Sequence, residues 1–153
     1  MIAIVQRVDS ASVTVDGEVK GKANKGLLVL VGVGDGDTTS DAELLASKVT
    51  NLRIFTDEND KMNLSLIDVQ GEMLIVSQFT LCGDCKKGTR PSFDKSAPPQ
   101  IANELYEKFV DEIKTYGIKT QTGKFAAMMD EKRKTSKKKE AKETIVSDLL
   151  GTY

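Results

Sequence analysis

Hydrophobic and polar positions along the chain change period several times, and each change marks an element. Residues 2–8, IAIVQRV, alternate and then end in Arg7, and 11–15, ASVTV, alternate strictly, so both read as strands. Asp16-Gly17 is a hairpin turn signal, and Glu18-Val19-Lys20-Gly21 returns from it. Residues 26–34, GLLVLVGVG, are continuously apolar between glycines, the pattern of a strand covered on both faces. After the turn GDGDT at 34–38, Ala42, Leu45, Ala46, Val49 and Leu52 keep helical spacing. Thr39 or Ser40 would be the N-cap, with Glu43 near the third helical position. Arg53-Ile54-Phe55 starts another extended piece, Thr56–Lys61 is a polar turn, and Met62–Ser65 is short and ambiguous. Pro98-Pro99 opens a second helix whose stripe is Ala102, Leu105, Tyr106, Phe109, Val110 and Ile113, and Ile118-Lys119-Thr120 is a short strand. Helices are thus expected near 39–50 and 99–116.

One predicted strand is unusual. From Gly71 to Leu81, the apolar run Met73–Val76 is interrupted by Ser77-Gln78 before Phe79-Thr80-Leu81. On a strand, Ser77 and Phe79 would share one face and Gln78 and Thr80 the other. An unpaired buried hydroxyl or amide costs roughly 1–3 kcal/mol, so the pair is either hydrogen-bonded in the core or lines a binding site. The loop that follows, 86–93, KKGTRPSF, supplies Lys86, Lys87 and Arg90, a flexible glycine and Phe93. Such a set can hold a phosphate and a flat base, although an ordinary basic loop has the same composition.

Composition narrows the chemistry. At 153 residues, with 39% hydrophobic and 29% charged residues, the chain suits one soluble globular domain. No apolar run reaches the roughly 18–20 residues of a membrane span, and the N-terminus lacks signal-peptide layout, so a cytoplasmic protein without membrane association is expected. Net charge is -1, and His and Trp are both absent. Without His there is no Ser-His-Asp relay, and the commonest metal ligand is missing. Cys82-Gly83-Asp84-Cys85 precedes a loop rather than a helix, and no other Cys exists to complete a zinc site, so the two read as incidental reduced thiols. Gly32-Val33-Gly34-Asp35-Gly36 lacks the helix-opening context of a dinucleotide fingerprint and reads as a turn.

Composition changes at Asp130. Residues 130–143, DEKRKTSKKKEAKE, hold seven Lys/Arg and four Asp/Glu, net +3, leaving -4 for the rest. This segment reads as a solvated helix or a disordered tail, with RNA phosphates as the less favoured partner. TIVSDLL beyond it could form a short strand or helix.

The pieces AIVQRV, ASVTVDGEV, GLLVLVGV, NLRIF, DENDKMNLS, VSQFTL, KKGTRPSF, ELYEKF and TGKFAAMM, collinear over about residues 1–129, resemble the D-aminoacyl-tRNA deacylases, also called D-tyrosyl-tRNA deacylases. VSQFTL followed by G-x-R-P-S-F is the most specific part. The resemblance implies an α+β fold: an antiparallel and mixed β-sheet curved into a partial barrel with two main helices. It implies hydrolysis of the ester between a D-amino acid and the terminal adenosine of tRNA, as translation quality control by a homodimer, with no cofactor and no metal. By carry-over, Ser77, Gln78, Phe79 and Thr80 line the catalytic pocket. Phe125, Ala126 and Met128 face the adenosine, and Arg7 supports the site. Arg90 and Phe93 complete the expected substrate-binding set. In the family, few side chains act, with backbone amides and the tRNA 2′-hydroxyl assisting; Thr80 as nucleophile is a competing mechanism for which no nearby base is visible.

The departure is at the end of the chain. The family carries Asn-Asp-Gly-Pro-Val-Thr there, its cis Gly-Pro reaching into the partner's pocket to exclude L-amino acids. This sequence has no Gly-Pro, and Lys137-Lys138 stand at the corresponding place. The expected organisation is a deacylase-like core over 1–129 and a divergent Lys-rich tail over 130–153. A frameshifted or misassembled end, a divergent tail and a homologue without proofreading are the three readings of that change, the abruptness favouring the first. The alternative function is a catalytically impaired module that binds tRNA 3′ ends.

Overall fold

The computed structural model describes residues 1–123, with the backbone of 130–134 and 143–147. Among the described residues, two main sheets, a two-stranded ribbon and two helices make up the fold. The elements are β1 Ile2–Val8, β2 Ser10–Val15, β3 Glu18–Ala23, β4 Gly26–Gly32, α1 Thr39–Asn51, β5 Phe55–Thr56, β6 Met62–Leu64 and β7 Glu72–Ser77. A 3-10 turn Phe79–Cys82, α2 Pro99–Thr115, β8 Thr120–Thr122, β9 Asp130–Lys134 and β10 Glu143–Ser147 follow. The central sheet has the order β10-β1-β4-β7-β8 and the second sheet the order β3-β2-β9. β4 runs antiparallel to β1 and parallel to β7, which is parallel to β8. The fold is α+β with a curved mixed sheet, as expected.

The continuous apolar run of β4 has its predicted cause. Leu27, Val29 and Val31 face a core shared with Leu45, Val49, Phe109 and Ile113 of the two helices. Leu28 faces a second core with Val13, Ala23, Leu74 and Val76, beneath the smaller sheet. β7 divides in the same way, Met73 and Ile75 to the helices and Leu74 and Val76 to the small sheet. The small sheet closes over β8, where Lys22 N–H donates to Gln121 Oε1 at 2.6 Å. Tyr106 of α2 donates its buried hydroxyl to Ile75 O at 2.9 Å, and burial pushes its pKa well above the ordinary value. The hairpin turn lies at Asp16 (φ 50) and Gly17 (φ 78), the two left-handed residues that its Asp-Gly sequence predicts.

Three expectations need correction. The N-cap of α1 is Thr38, before both expected residues Thr39 and Ser40, because the carboxylate of Asp41 accepts the Thr38 N–H at 2.8 Å. The charged segment at 130 is neither helix nor disordered at its start. Asp130–Lys134 pairs antiparallel with β2 as the edge of the small sheet, where one open side tolerates a charged strand. The strand predicted over 71–81 stops at Ser77. Gln78 N–H makes the last ladder bond, 2.8 Å to Val31 O, and beyond it β4 has ended. The chain then turns over Gly32, where an added Cβ would lie 2.9 Å from Leu81 Cβ. Of the remaining short pieces, Glu143–Ser147 forms β10 against β1.

Close approach of β4 and β7 depends on Gly26, whose partner is Glu72. A Cβ there would sit 1.8 Å from Glu72 O, a backbone atom that cannot yield without parting the strands. Gly26→Ala is therefore expected to destabilise the protein by about 3 kcal/mol or more, read as a lower urea midpoint. A midpoint equal to that of the unaltered chain would show that the strands are not pinned there.

Candidate active site

The end of β7 presents the segment singled out from the sequence, and the turn changes what that segment is. Ser77 and Gln78 are half-buried while Phe79 and Thr80 are exposed. The polar residues are therefore not in the middle of a buried strand, and no alternating faces extend past Gln78. Gln78 Nε2 instead donates to Thr80 Oγ1 within the turn. The first two amides of the turn, Phe79 N–H and Thr80 N–H, meet no acceptor among the described residues, which is the usual state of the leading donors of a helical turn. Leu81 N–H and Gly83 N–H close it onto the carbonyls of Gln78 and Thr80 at 3.3 and 3.0 Å.

The loop after the turn folds back against it. Asp84 and Ser92 exchange backbone bonds of 2.8 Å each way. The ring of Phe93 meets that of Phe79 edge-on, centroids 5.3 Å apart at 65°. Both rings remain accessible, Phe79 60% and Phe93 38%, so together they offer an open aromatic surface beside the unsatisfied amides. Lys86 and Arg90 are exposed on the same loop. Asp84 receives the Lys86 N–H at 2.8 Å and pairs with Lys95 at 3.0 Å, and these hold its carboxyl below the ordinary carboxylate range.

Arg7 lies elsewhere. It pairs with Leu27 on β4, which pairs with Met73, four residues before Ser77 on β7. That is about 13 Å along the strands and two strands across. Its guanidinium donates to Ile54 O at 2.9 Å. One chain thus brings Ser77, Gln78, Phe79, Thr80 and Phe93 together and leaves Arg7 apart. Phe125, Ala126, Met128 and Lys137-Lys138 lie outside the described residues. A groove of about 560 Å³ opens on the β4 side of the turn, between Met1 and Asp37 on one wall and Leu81–Gly83 on the other, and it touches none of the residues 77–80.

Two residues at the site escaped the sequence. Ser96 donates to Phe79 O at 3.3 Å, and Asp37 accepts Gly34 N–H at 2.6 Å. Both read locally as loop residues. Only the return of the 82–98 loop onto Gly34 gives them a place.

The profile of the D-Tyr-tRNA(Tyr) deacylase family matches residues 4–135. The chain belongs to this family. It is 62% identical to the D-aminoacyl-tRNA deacylase of Desulfatibacillum aliphaticivorans over 130 residues, covering 85% of this chain and 89% of that one. It is 58% identical to that of Clostridioides difficile (strain 630) over 129 residues, covering 84% and 87%. Among solved structures, the c-Myc DNA unwinding element binding protein superposes with a TM-score of 0.88 at 37% identity, covering 96% of this chain and 98% of that one. A probable eukaryotic D-amino acid tRNA deacylase shares the fold at 16% identity, with a TM-score of 0.77 and coverage of 95% and 98%. For this deacylase-family chain, no helix among the described residues is long and apolar enough to cross a membrane.

The two thiols are free. Gly83 is extended (φ -65, ψ 137) and Asp84 sits in a two-stranded bridge, so Cys82 and Cys85 stand about 10 Å apart, beyond the roughly 7 Å that a disulfide spans. Burial pushes the Cys82 thiol up, against a smaller downward pull from the N-terminal ammonium, while Cys85 is exposed. A raised pKa means less thiolate at a given pH. Iodoacetamide at pH 8 is therefore expected to label Cys85 first and Cys82 several-fold more slowly, read by peptide mass spectrometry; equal rates would show that Cys82 is not shielded.

Proposed function

We propose that this chain hydrolyses the ester of D-aminoacyl-tRNA, releasing the D-amino acid and the tRNA. The observation that carries the reading is the Ser77–Thr80 segment, which matches the family's most specific motif and leaves the sheet with two backbone N–H donors unpaired. Water adds to the ester carbonyl, the amides of Phe79 and Thr80 hold the oxyanion, and the ribose oxygen leaves with the proton that the water supplies. An aminoacyl ester is already activated, so positioning and oxyanion stabilisation are the main requirements. This suits a chain without His. The Phe79–Phe93 surface offers stacking to the terminal adenine, worth about 1–3 kcal/mol per base. Lys86, Lys87 and Arg90 offer the phosphates their charge. Gln78, held by Thr80, borders the ester. Thr80 is a lining group here, since no base among the described residues is placed to activate its hydroxyl.

The expected contributions of Phe125, Ala126 and Met128 on the adenosine side remain part of this reading. Because Arg7 is remote from Ser77 within one chain, its support would come from a second copy, which agrees with a homodimer. A cytoplasmic site of action follows from the substrate. The division into a deacylase-like core over 1–129 and a divergent tail remains part of this reading; alignments to the curated relatives take in 129–130 residues of this chain, while the family profile runs on to residue 135.

Release of D-tyrosine from D-tyrosyl-tRNA tests the reading directly. Phe79→Ala and Gln78→Ala are each expected to lower kcat/KM by about 10- to 100-fold, in keeping with lost stacking and misplaced substrate. Full activity in both would remove the segment from the site.

Stereochemistry is a separate expectation. The chain has no Gly-Pro pair, so a steric filter of the family's kind is missing. Each 1.4 kcal/mol of lost rejection is about tenfold in selectivity. Turnover of D- and L-tyrosyl-tRNA is expected to differ less here than in a variant whose tail carries the Gly-Pro strand. A strong D preference in the unaltered chain would show that another part of the protein excludes L-amino acids. Binding of tRNA ends without turnover of either would favour the impaired, RNA-binding alternative.

A further inference from the structure

Asp37 lies in the turn between β4 and α1, on the far side of the groove from the 3-10 turn. Its Oδ2 accepts the Gly34 N–H at 2.6 Å and pairs at 2.8 Å with the α-ammonium of Met1, whose side chain is fully buried. The Asp37 side chain is only 16% exposed, so this is a largely desolvated ion pair. Removing one member of such a pair leaves the other uncompensated.

The turn that Asp37 shapes carries the returning loop. Gly34 and Ser96 form an antiparallel bridge. Asp35 N–H donates to Lys95 O at 2.8 Å, and Ala97 N–H to Val33 O at 3.0 Å. The same short segment faces the site on its other side. Ser96 Oγ donates to Phe79 O at 3.3 Å, and Ser96 N–H donates to Phe93 O at 3.0 Å. One loop thus links the Asp37 turn to both aromatic residues of the site.

The direction of one of these bonds matters for catalysis. A trans peptide unit is planar, with its C=O and N–H pointing opposite ways. Holding Phe79 O toward Ser96 therefore aims Thr80 N–H away from Ser96. That amide is one of the two donors with no acceptor among the described residues. A groove lies between Asp37 and Leu81–Gly83, and beside the direct bond from Gln78 N–H to Val31 O the hydrogen-bonded loop is a second connection between the Asp37 turn and the 3-10 turn.

We propose that Asp37 is a positioning residue for the ester site, acting through Gly34, Ser96 and the Phe79–Thr80 peptide. This rests on the function proposed above. Asp37 never touches substrate; it fixes the turn from which the 94–97 segment hangs, and that segment orients the oxyanion donor.

The full chain and its Asp37→Ala and Asp37→Asn variants test this, with two readouts taken well below the unfolding midpoint. In the first, amide exchange over 93–98 is expected to quicken about tenfold in Asp37→Ala, with the buried strands 27–31 and 73–76 unchanged. In the second, kcat on D-tyrosyl-tRNA is expected to fall about tenfold with KM within about twofold, since a donor is misplaced while adenosine contacts persist. Asp37→Asn retains an acceptor for Gly34 N–H and is expected to recover part of both effects. If Asp37→Ala does not fold, the Asn variant carries the same two comparisons. Unchanged exchange over 93–98 would overturn the proposal. So would a variant that loses only thermal stability while keeping its kcat. If the unaltered chain releases no D-tyrosine, the proposed function fails, and with it the catalytic role of Asp37. The exchange comparison would still decide whether Asp37 holds the loop.

Discussion

Parallel pairing of β4 with β7 is the constraint on which the rest of the protein depends. These two strands are covered on both faces by separate cores, with Leu27, Val29, Met73 and Ile75 toward the helices and Leu28, Leu74 and Val76 toward the small sheet. Parallel strands need such cover. Their length also sets where the site begins. β4 runs out at Gly32, its last ladder bond goes to Gln78 N–H, and the chain must then find another way to satisfy its backbone. It does so as a tight turn over a glycine, which leaves two amides unpaired at the carboxyl end of a parallel strand, where open sheets commonly bind ligands.

That geometry removes the apparent cost of Ser77 and Gln78. Two polar side chains inside a strand would have to be satisfied by the core. At the strand's end they need only be half-buried, and Gln78 finds its partner in Thr80. The chemistry assigned to the site needs little more than this. An activated ester requires an oriented oxyanion donor and a surface for the adenine. In the proposed reading, backbone amides and the Phe79–Phe93 pair would supply these without a titrating side chain. The perturbed groups of the protein are correspondingly structural. Glu72 is held low first by the Asn24 N–H and then by Lys119 at the opposite end of β7, and Tyr106 is raised by burial against Ile75 O.

The charged segment after Met129 shows how edge positions absorb unusual sequence. Asp130–Lys134 is net positive and carries no apolar residue, yet it forms a strand because only β2 must pair with it. Glu143–Ser147 occupies the other open edge, beside β1. An edge strand adds backbone hydrogen bonds while leaving one side to water, so a core defined by β1, β4 and β7 accepts partners of very different composition.

Periodicity alone was enough to place both helices to within a residue or two, the Asp16-Gly17 hairpin and the doubly covered strand β4, because each rests on local spacing and on burial that repeats along the element. VSQFTL and GTRPSF were likewise enough to identify the family, and they single out Ser77–Thr80 and Phe93 as candidates. What the sequence could not determine depends on where a neighbour stops or returns. That β7 ends at Ser77 is set by the length of β4. Thr38 rather than Thr39 or Ser40 caps α1 because the Asp41 carboxylate reaches its N–H. That Asp130–Lys134 is a strand follows from the open edge of β2. Arg7 is separated from Ser77 by sheet register, and Ser96 reaches Phe79 while its loop closes onto Gly34, beside Asp37, from far along the chain. The Thr38–Asp41 cap is local and its T-x-x-D spacing was legible; the others depend on long-range contacts, for which local spacing carries no signal and which only the folded backbone brings within hydrogen-bonding distance.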